Sequence, residues 1–137
     1  MIRIAMTSVY VDDEERAHAF YGDVLGFETR TNLDLGGARF ITVVAPGQDV
    51  ELLLEPGDSP LAEQYRRGLR EAGLPCIVLG VDDLRAEHER LSGLGVRFTQ
   101  PPTEHGPVLS AVLDDTVGNL VQLTQPLARD GEAAPGS

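Results

Sequence analysis

The chain has 137 residues, of which 42% are hydrophobic, and sets 11 basic side chains against 22 acidic ones for a formal net charge of −11. That length suits one ordinary domain with apolar content enough for a core without staples. The negative field repels phosphate backbones and anionic lipid, so nucleic acid and membrane surfaces are set aside as partners.

No apolar run reaches the roughly 18 residues that a membrane span requires. The start, Met1-Ile2-Arg3-Ile4-Ala5, reads as a strand rather than as a signal peptide. The lone Cys76 excludes an internal disulfide and cannot by itself build a structural zinc site. A cytoplasmic protein is expected.

Ile2 to Val11 is rich in β-branched and small residues and predicts a strand, ended by Asp12-Asp13, either of which can cap a helix. Ala17, Phe20, Tyr21, Val24 and Leu25 recur at helical spacing, and Gly26 stands where a left-handed residue ends a helix. Strand patterns follow at Phe27 to Leu33, Ala38 to Ala45 and Val50 to Glu55, separated by Gly36-Gly37 and Pro46-Gly47. Ser59-Pro60 opens a connector helix that closes at Gly73. The first pattern then returns: a strand over Cys76 to Val81, Asp82-Asp83 as cap, and Leu84, His88, Leu91 and Leu94 along a helix face. Strands are predicted at Val96 to Thr99, Val108 to Asp114 and Leu120 to Thr124, and Ala128 to Ser137 is expected to be disordered.

Val11-Asp12-Asp13 recurs as Val81-Asp82-Asp83, 70 positions on, and Leu25-Gly26-Phe27 as Leu94-Gly95-Val96, 69 positions on. Matched spacing within each copy marks a duplicated β-α-β-β-β unit. The fold class is therefore α+β, one domain over 1–127, with repeats at about 2–56 and 76–125 joined by the connector at about 59–73.

Six stretches, V-Y-V-D-D, Ala19 to Phe27, Val50 to Pro56, the second V-D-D, Leu94 to Phe98 and Asp114 to Leu123, resemble in order and spacing the signatures of the vicinal-oxygen-chelate family. That family includes glyoxalases, bleomycin-resistance proteins and extradiol dioxygenases. The resemblance spans about residues 2 to 125 and implies a glyoxalase-like fold, a curved mixed sheet around a cleft, with chains paired as homodimers. It also implies four cleft positions that hold a divalent metal in the metal-dependent members, carried over here as Met6, Glu51, Cys76 and Gln122. A one-residue shift of register would turn Thr7 inward instead of Met6.

A thioether, a carboxylate, a thiol and a neutral amide are poorly matched to a hard divalent ion, and no histidine stands at any of the four positions. No catalytic metal or other cofactor is therefore expected, and a ring-cleaving dioxygenase is disfavoured. The candidate ligand-binding residues are Met6, Ser8, Tyr10, Glu51, Leu53, Cys76 and Gln122.

Glu51, Leu53 and Glu55 alternate with Leu52 and Leu54, so the glutamates face either the cleft or plain solvent. Glu51 and His105 are the candidate catalytic groups. His105 lies in Pro101 to Pro107, read as a loop over the cavity mouth or as an idle surface turn. Cys76 is a reactive thiol or an inert strand residue. His18 belongs to the surface and His88 to the apolar stripe of the second repeat's helix. Arg39 and Arg97 start strands, while Tyr10, Phe40 and Phe98 wall a pocket or fill the core.

Two functions follow from different classes. The first is a metal-independent protein that binds a small organic molecule, for sequestration or resistance. The second is a divergent lyase, isomerase or transferase that uses Glu51 with a divalent metal or with His105.

Overall fold

Alternation decides how the first strand sits. In the computed structural model, which describes residues 1–127, Val9 and Val11 are buried, so Thr7 shares their face while Met6, Ser8 and Tyr10 turn to the other. The elements in chain order are β1 (Met6–Val11), α1 (Glu14–Ala19), β2 (Glu28–Asp34), β3 (Arg39–Val44), β4 (Glu51–Pro56), α2 (Pro60–Glu71), β5 (Ile77–Gly80), α3 (Leu84–Gly93), β6 (Phe98–His105), β7 (Val108–Asp114) and β8 (Leu120–Pro126). Asp13 caps α1 by accepting from the Arg16 amide, Ser59 caps α2 through Ala62, and Asp83 caps α3 through Ala86. The helix begun by α1 widens to a π-helical turn over Phe20–Val24, and Gly26 ends it at φ +94.

Two units share this α+β design. Unit 1 comprises Met1–Gly73 with the turn Asp115–Asn119; unit 2 comprises Leu74–Asp114 and the chain from Leu120. Unit 1 holds a mixed sheet in the order β1-β4-β3-β2, with β1 and β4 parallel and the other pairs antiparallel. Unit 2 repeats that order as β5-β8-β7-β6. One face of each sheet is covered by a helix: Val9, Val11, Ile41, Val43, Leu52 and Leu54 are buried in unit 1 with Ala17, Phe20 and Tyr21, and Leu109, Ala111, Leu113, Val121 and Leu123 in unit 2 with Leu84 and Leu91.

Three expectations are corrected. The first strand begins at Met6 rather than Ile2, because its partner β4 begins at Glu51, whose amide donates to Ala5, and the backbone before that finds no ladder. β6 runs to His105 instead of ending at Thr99. Pro101 and Pro102 are tolerated there because β6 is the sheet edge and its register slips between Gln100 and Thr103. The turn Asp115–Asn119, part of the second repeat by sequence, belongs by its contacts to unit 1. The expected tail at 128–137 lies outside the described residues.

Asp115 holds that turn. One carboxylate oxygen accepts from the Val117 and Asn119 amides, both at 2.9 Å, and the other from the Tyr21 hydroxyl at 2.8 Å and Asn119 Nδ2 at 2.9 Å. The turn is tied further into unit 1 by Asn119 Nδ2 to the Tyr10 carbonyl, Asp12 N to the Val117 carbonyl and Arg16 Nη2 to the Thr116 carbonyl. Gly118 sits at φ +101 directly against the Arg66 guanidinium, where a side chain would collide. Burial pushes the Asp115 carboxyl above the usual carboxylate range, and the hydrogen bonds from Asn119, Tyr21 and Val117 pull it part of the way back.

Removing the carboxylate would strand four donors, so Asp115→Ala is expected to lower the unfolding free energy by about 3 kcal/mol in urea titration, and Tyr21→Phe by about 1 kcal/mol. A raised folded-state value means that the fold binds the proton more readily than the unfolded chain does. Asp115's contribution is then full at low pH and is lost as pH rises through that value. Measured relative to the non-titrating Asp115→Asn, the native protein should gain stability on going from about pH 7 to about pH 4; a loss over that window would contradict the dominance of burial.

Candidate functional site

The face of the unit 1 sheet away from α1 is built by the same alternation that buries Leu52 and Leu54. It carries Met6, Ser8 and Tyr10 from β1, Glu51, Leu53 and Glu55 from β4, Phe40, Thr42 and Val44 from β3, and Glu28, Thr31 and Leu33 from β2. Met6 remains 40% exposed and Leu33 51%, while Leu53, Phe40 and Tyr10 are half-buried. Tyr65 of α2 meets the Tyr10 ring edge-on at 6.3 Å between centroids. The face thus mixes apolar and aromatic side chains with hydroxyls and carboxylates.

Glu51 is its principal polar feature. The Thr42 hydroxyl, with the residue fully buried, donates to Glu51 Oε1 at 2.7 Å. This bond ties the carboxylate towards β3, on the side of Glu51 away from Met6, its partner on β1.

In unit 2 the corresponding face carries Val78, Gln122, Val112 and Gln100 in one row and Gly80, Thr124, Ser110 and Thr103 in the next. Cys76 lies just before β5 and pairs its amide with the Leu120 carbonyl at 2.9 Å. His105, at the end of β6 opposite Val108, is exposed, and its Nε2 stands 3.0 Å from Gln100 Nε2, a pair in which the amide N–H donates and the imidazole nitrogen accepts. His105 therefore stands in a strand, with its ring on Gln100, and not in a loop.

Strand register refines the family positions. Gln122 is paired with Val78, two residues beyond Cys76. In unit 1 the residue two beyond Met6 is Ser8, and its partner is Leu53; Glu51 is the partner of Met6 itself. By pairing, the unit 1 counterpart of Gln122 is Leu53, so unit 1 offers a thioether and an alkyl group at the two equivalent positions, and unit 2 a thiol and an amide. Neither pair fits a hard divalent cation, which takes carboxylate and imidazole donors. Glu51 stands next to this set as a single carboxylate. Among the described residues no group of three or more His, Cys, Asp or Glu is arranged to hold a metal.

The remaining candidates lie elsewhere. Arg39 faces the helix side of unit 1, paired with Glu15 and bonded to Asn32 Oδ1 at 2.5 Å. His18 bonds Thr29 Oγ1 at 2.6 Å, and His88 packs edge-on against Phe98 at 4.5 Å on the α3 side of unit 2. Arg97, exposed, precedes β6 and offers its carbonyl to the Asp114 amide. A separate hollow in unit 1 of about 260 Å³ is lined at the ends of β1 and β4 by Asp12, Asp13, Glu14, Glu15, Asp58 and Arg39, among others.

Two groups of consequence went unmarked in the sequence. Thr42 reads as one more β-branched strand residue, and only its parity with Glu51 gives it away. Asp115 and Asn119 sit inside the D-D-T-V-G-N stretch, where an Asx turn ahead of a glycine was the available signal.

Comparison with known proteins agrees with this geometry. Residues 3–123 match the model of the Glyoxalase/Bleomycin resistance protein/Dioxygenase superfamily. The chain is 44% identical over 126 residues to the uncharacterized protein YurT of Bacillus subtilis (strain 168), covering 90% of this chain and 99% of that one. Among solved structures it is similar to UcmS2, with TM-score 0.78 and 31% identity over 90% of this chain and 98% of that one. It is also similar to TnmS3, an antibiotic binding protein from Streptomyces sp. CB03234, with TM-score 0.73 and 26% identity over 92% of this chain and 97% of that one.

Proposed function

The chain belongs to the Glyoxalase/Bleomycin resistance protein/Dioxygenase superfamily, and we propose that within it this protein binds a small organic molecule on its open sheet face without a catalytic metal. The observation that carries this reading is the unit 1 face itself, where Met6, Leu33, Phe40 and Leu53 present apolar surface beside the pinned carboxylate of Glu51. Such a surface suits a flat or amphipathic molecule, because apolar contact supplies the attraction and a few polar groups set the orientation. The likeness to TnmS3 supports the same direction. Sequestration needs no bond to be broken, and Leu53 in the register of Gln122 removes a donor where a Lewis-acid site would need one.

Titration calorimetry of the full chain against a panel of planar antibiotics and aromatic metabolites is expected to find at least one ligand of micromolar or tighter affinity. A panel with no binder at that strength would contradict the reading.

Two chains are proposed to pair. Ile2 and Ile4, 100% and 71% exposed, continue the parity of Met6 ahead of β1, and Leu61 and Tyr65 of α2 are also exposed, which leaves apolar surface suited to a second copy. Light scattering is expected to give twice the chain mass at tens of micromolar; a monomer there would contradict pairing. The lone cysteine goes with a cytoplasmic setting for such a protein. No helix among the described residues is long and apolar enough to cross a membrane.

A further inference from the structure

By strand register the open face of unit 1 carries three carboxylates, Glu28, Glu51 and Glu55, and no basic residue at a paired position, Arg30 being the unpaired residue of the β2 bulge. The arginine nearest in sequence, Arg39, points to the opposite side of β3 and is engaged by Glu15 and Asn32. Glu51 is also not a freely waving surface acid. Its Oε1 is tied at 2.7 Å by a hydroxyl belonging to a fully buried residue, and Met6 is its cross-strand partner on β1. Among the described residues Thr42 is the only hydrogen-bond partner of its carboxylate. A carboxylate held in one place, with apolar side chains on the same face and in no ion pair among the described residues, is complementary to a cation that arrives with the ligand.

From this we infer that the protein selects organic cations, molecules that join an apolar or aromatic frame to a protonated amine or amidine, with the charged nitrogen against Glu51 and the frame over Met6, Leu53 and Phe40. The inference rests on the binding reading above and adds the ligand's charge and the residue that reads it. Tyr10 and Phe40, on the same face, favour the same charge, since the faces of aromatic rings attract cations. Thr42 acts as a positioning residue. Its hydroxyl uses one carboxylate oxygen and leaves the other to accept from the ligand.

The test is a pair of fluorescence titrations on the full chain at physiological salt, with proflavine as a planar cation and anilinonaphthalene sulfonate as an anion. Salt at that level suppresses the general pull of an acidic protein on any cation. Proflavine should bind more tightly than the sulfonate. Glu51→Gln should weaken proflavine about tenfold, the scale of one hydrogen bond to a charged group, and leave the sulfonate unchanged or slightly tighter. Thr42→Val should weaken proflavine severalfold while keeping the charge, and it carries the test alone should Glu51→Gln fail to fold. Glu89→Gln, on an exposed position of α3, makes the same change in net charge and should leave proflavine as it was.

Equal effects of Glu51→Gln and Glu89→Gln would overturn the inference, because the attraction would then be the field of the whole protein. So would full proflavine affinity in both Glu51→Gln and Thr42→Val, an outcome that leaves the binding reading standing with an uncharged ligand. Binding of neither dye by the native chain would overturn it as well, and only an empty wider panel would take the binding reading with it.

Discussion

The parity of one strand governs the chemistry of unit 1. β4 is short, and Leu52 and Leu54 go into the core with Ile41, Val43, Val9 and Val11. A slip of one residue would drive both leucines into water and carry Glu51 and Glu55 into the core, at several kcal/mol for each unpaired buried charge. The core therefore fixes the opposite face, and with it the neighbours of Glu51. The parallel pairing of β1 adds Met6, Ser8 and Tyr10 in a fixed order. The open face is in this sense a by-product of packing, and its character follows from whichever residues occupy alternate positions.

Those residues are apolar or uncharged apart from three glutamates, and the proposal of binding rather than metal-assisted chemistry rests on that character. Family membership alone leaves both open, because a fold carries many activities and the site decides among them. Leu53 bears most on that proposal. By pairing it stands where unit 2 has Gln122, and an alkyl side chain cannot donate to a cation of any kind. Asp115 plays a different part. Its four hydrogen bonds and those of Asn119 fasten a turn from the second repeat into unit 1, next to β1 and the α1 helix, where they steady the strand that carries Met6, Ser8 and Tyr10.

Much of this was legible in the residues. The duplicated V-D-D and L-G strings gave the repeat, Asp13, Ser59 and Asp83 took their capping roles, and the alternation of Glu51 with Leu52 set the orientation of β4 correctly. Strand ends were harder to read, because a strand stops where its partner stops: Ile2 to Ala5 have suitable side chains but no ladder beyond Glu51. Pro101-Pro102 misled for a related reason. Prolines end a central strand, but β6 is an edge, and edge position is a property of topology that local sequence does not carry. The equivalence of Leu53 with Gln122 was hidden because the family positions set Glu51 against Gln122, 71 positions apart, whereas strand pairing relates the last strands of the two repeats by 69.

Elemental analysis of the purified full chain by mass spectrometry tests the central claim most directly. The expected result is magnesium, manganese, iron, nickel and zinc all far below one equivalent per chain, with the planar ligand still bound after exhaustive treatment with a chelator. One equivalent of any of these metals, lost on Glu51→Gln together with ligand binding, would contradict it.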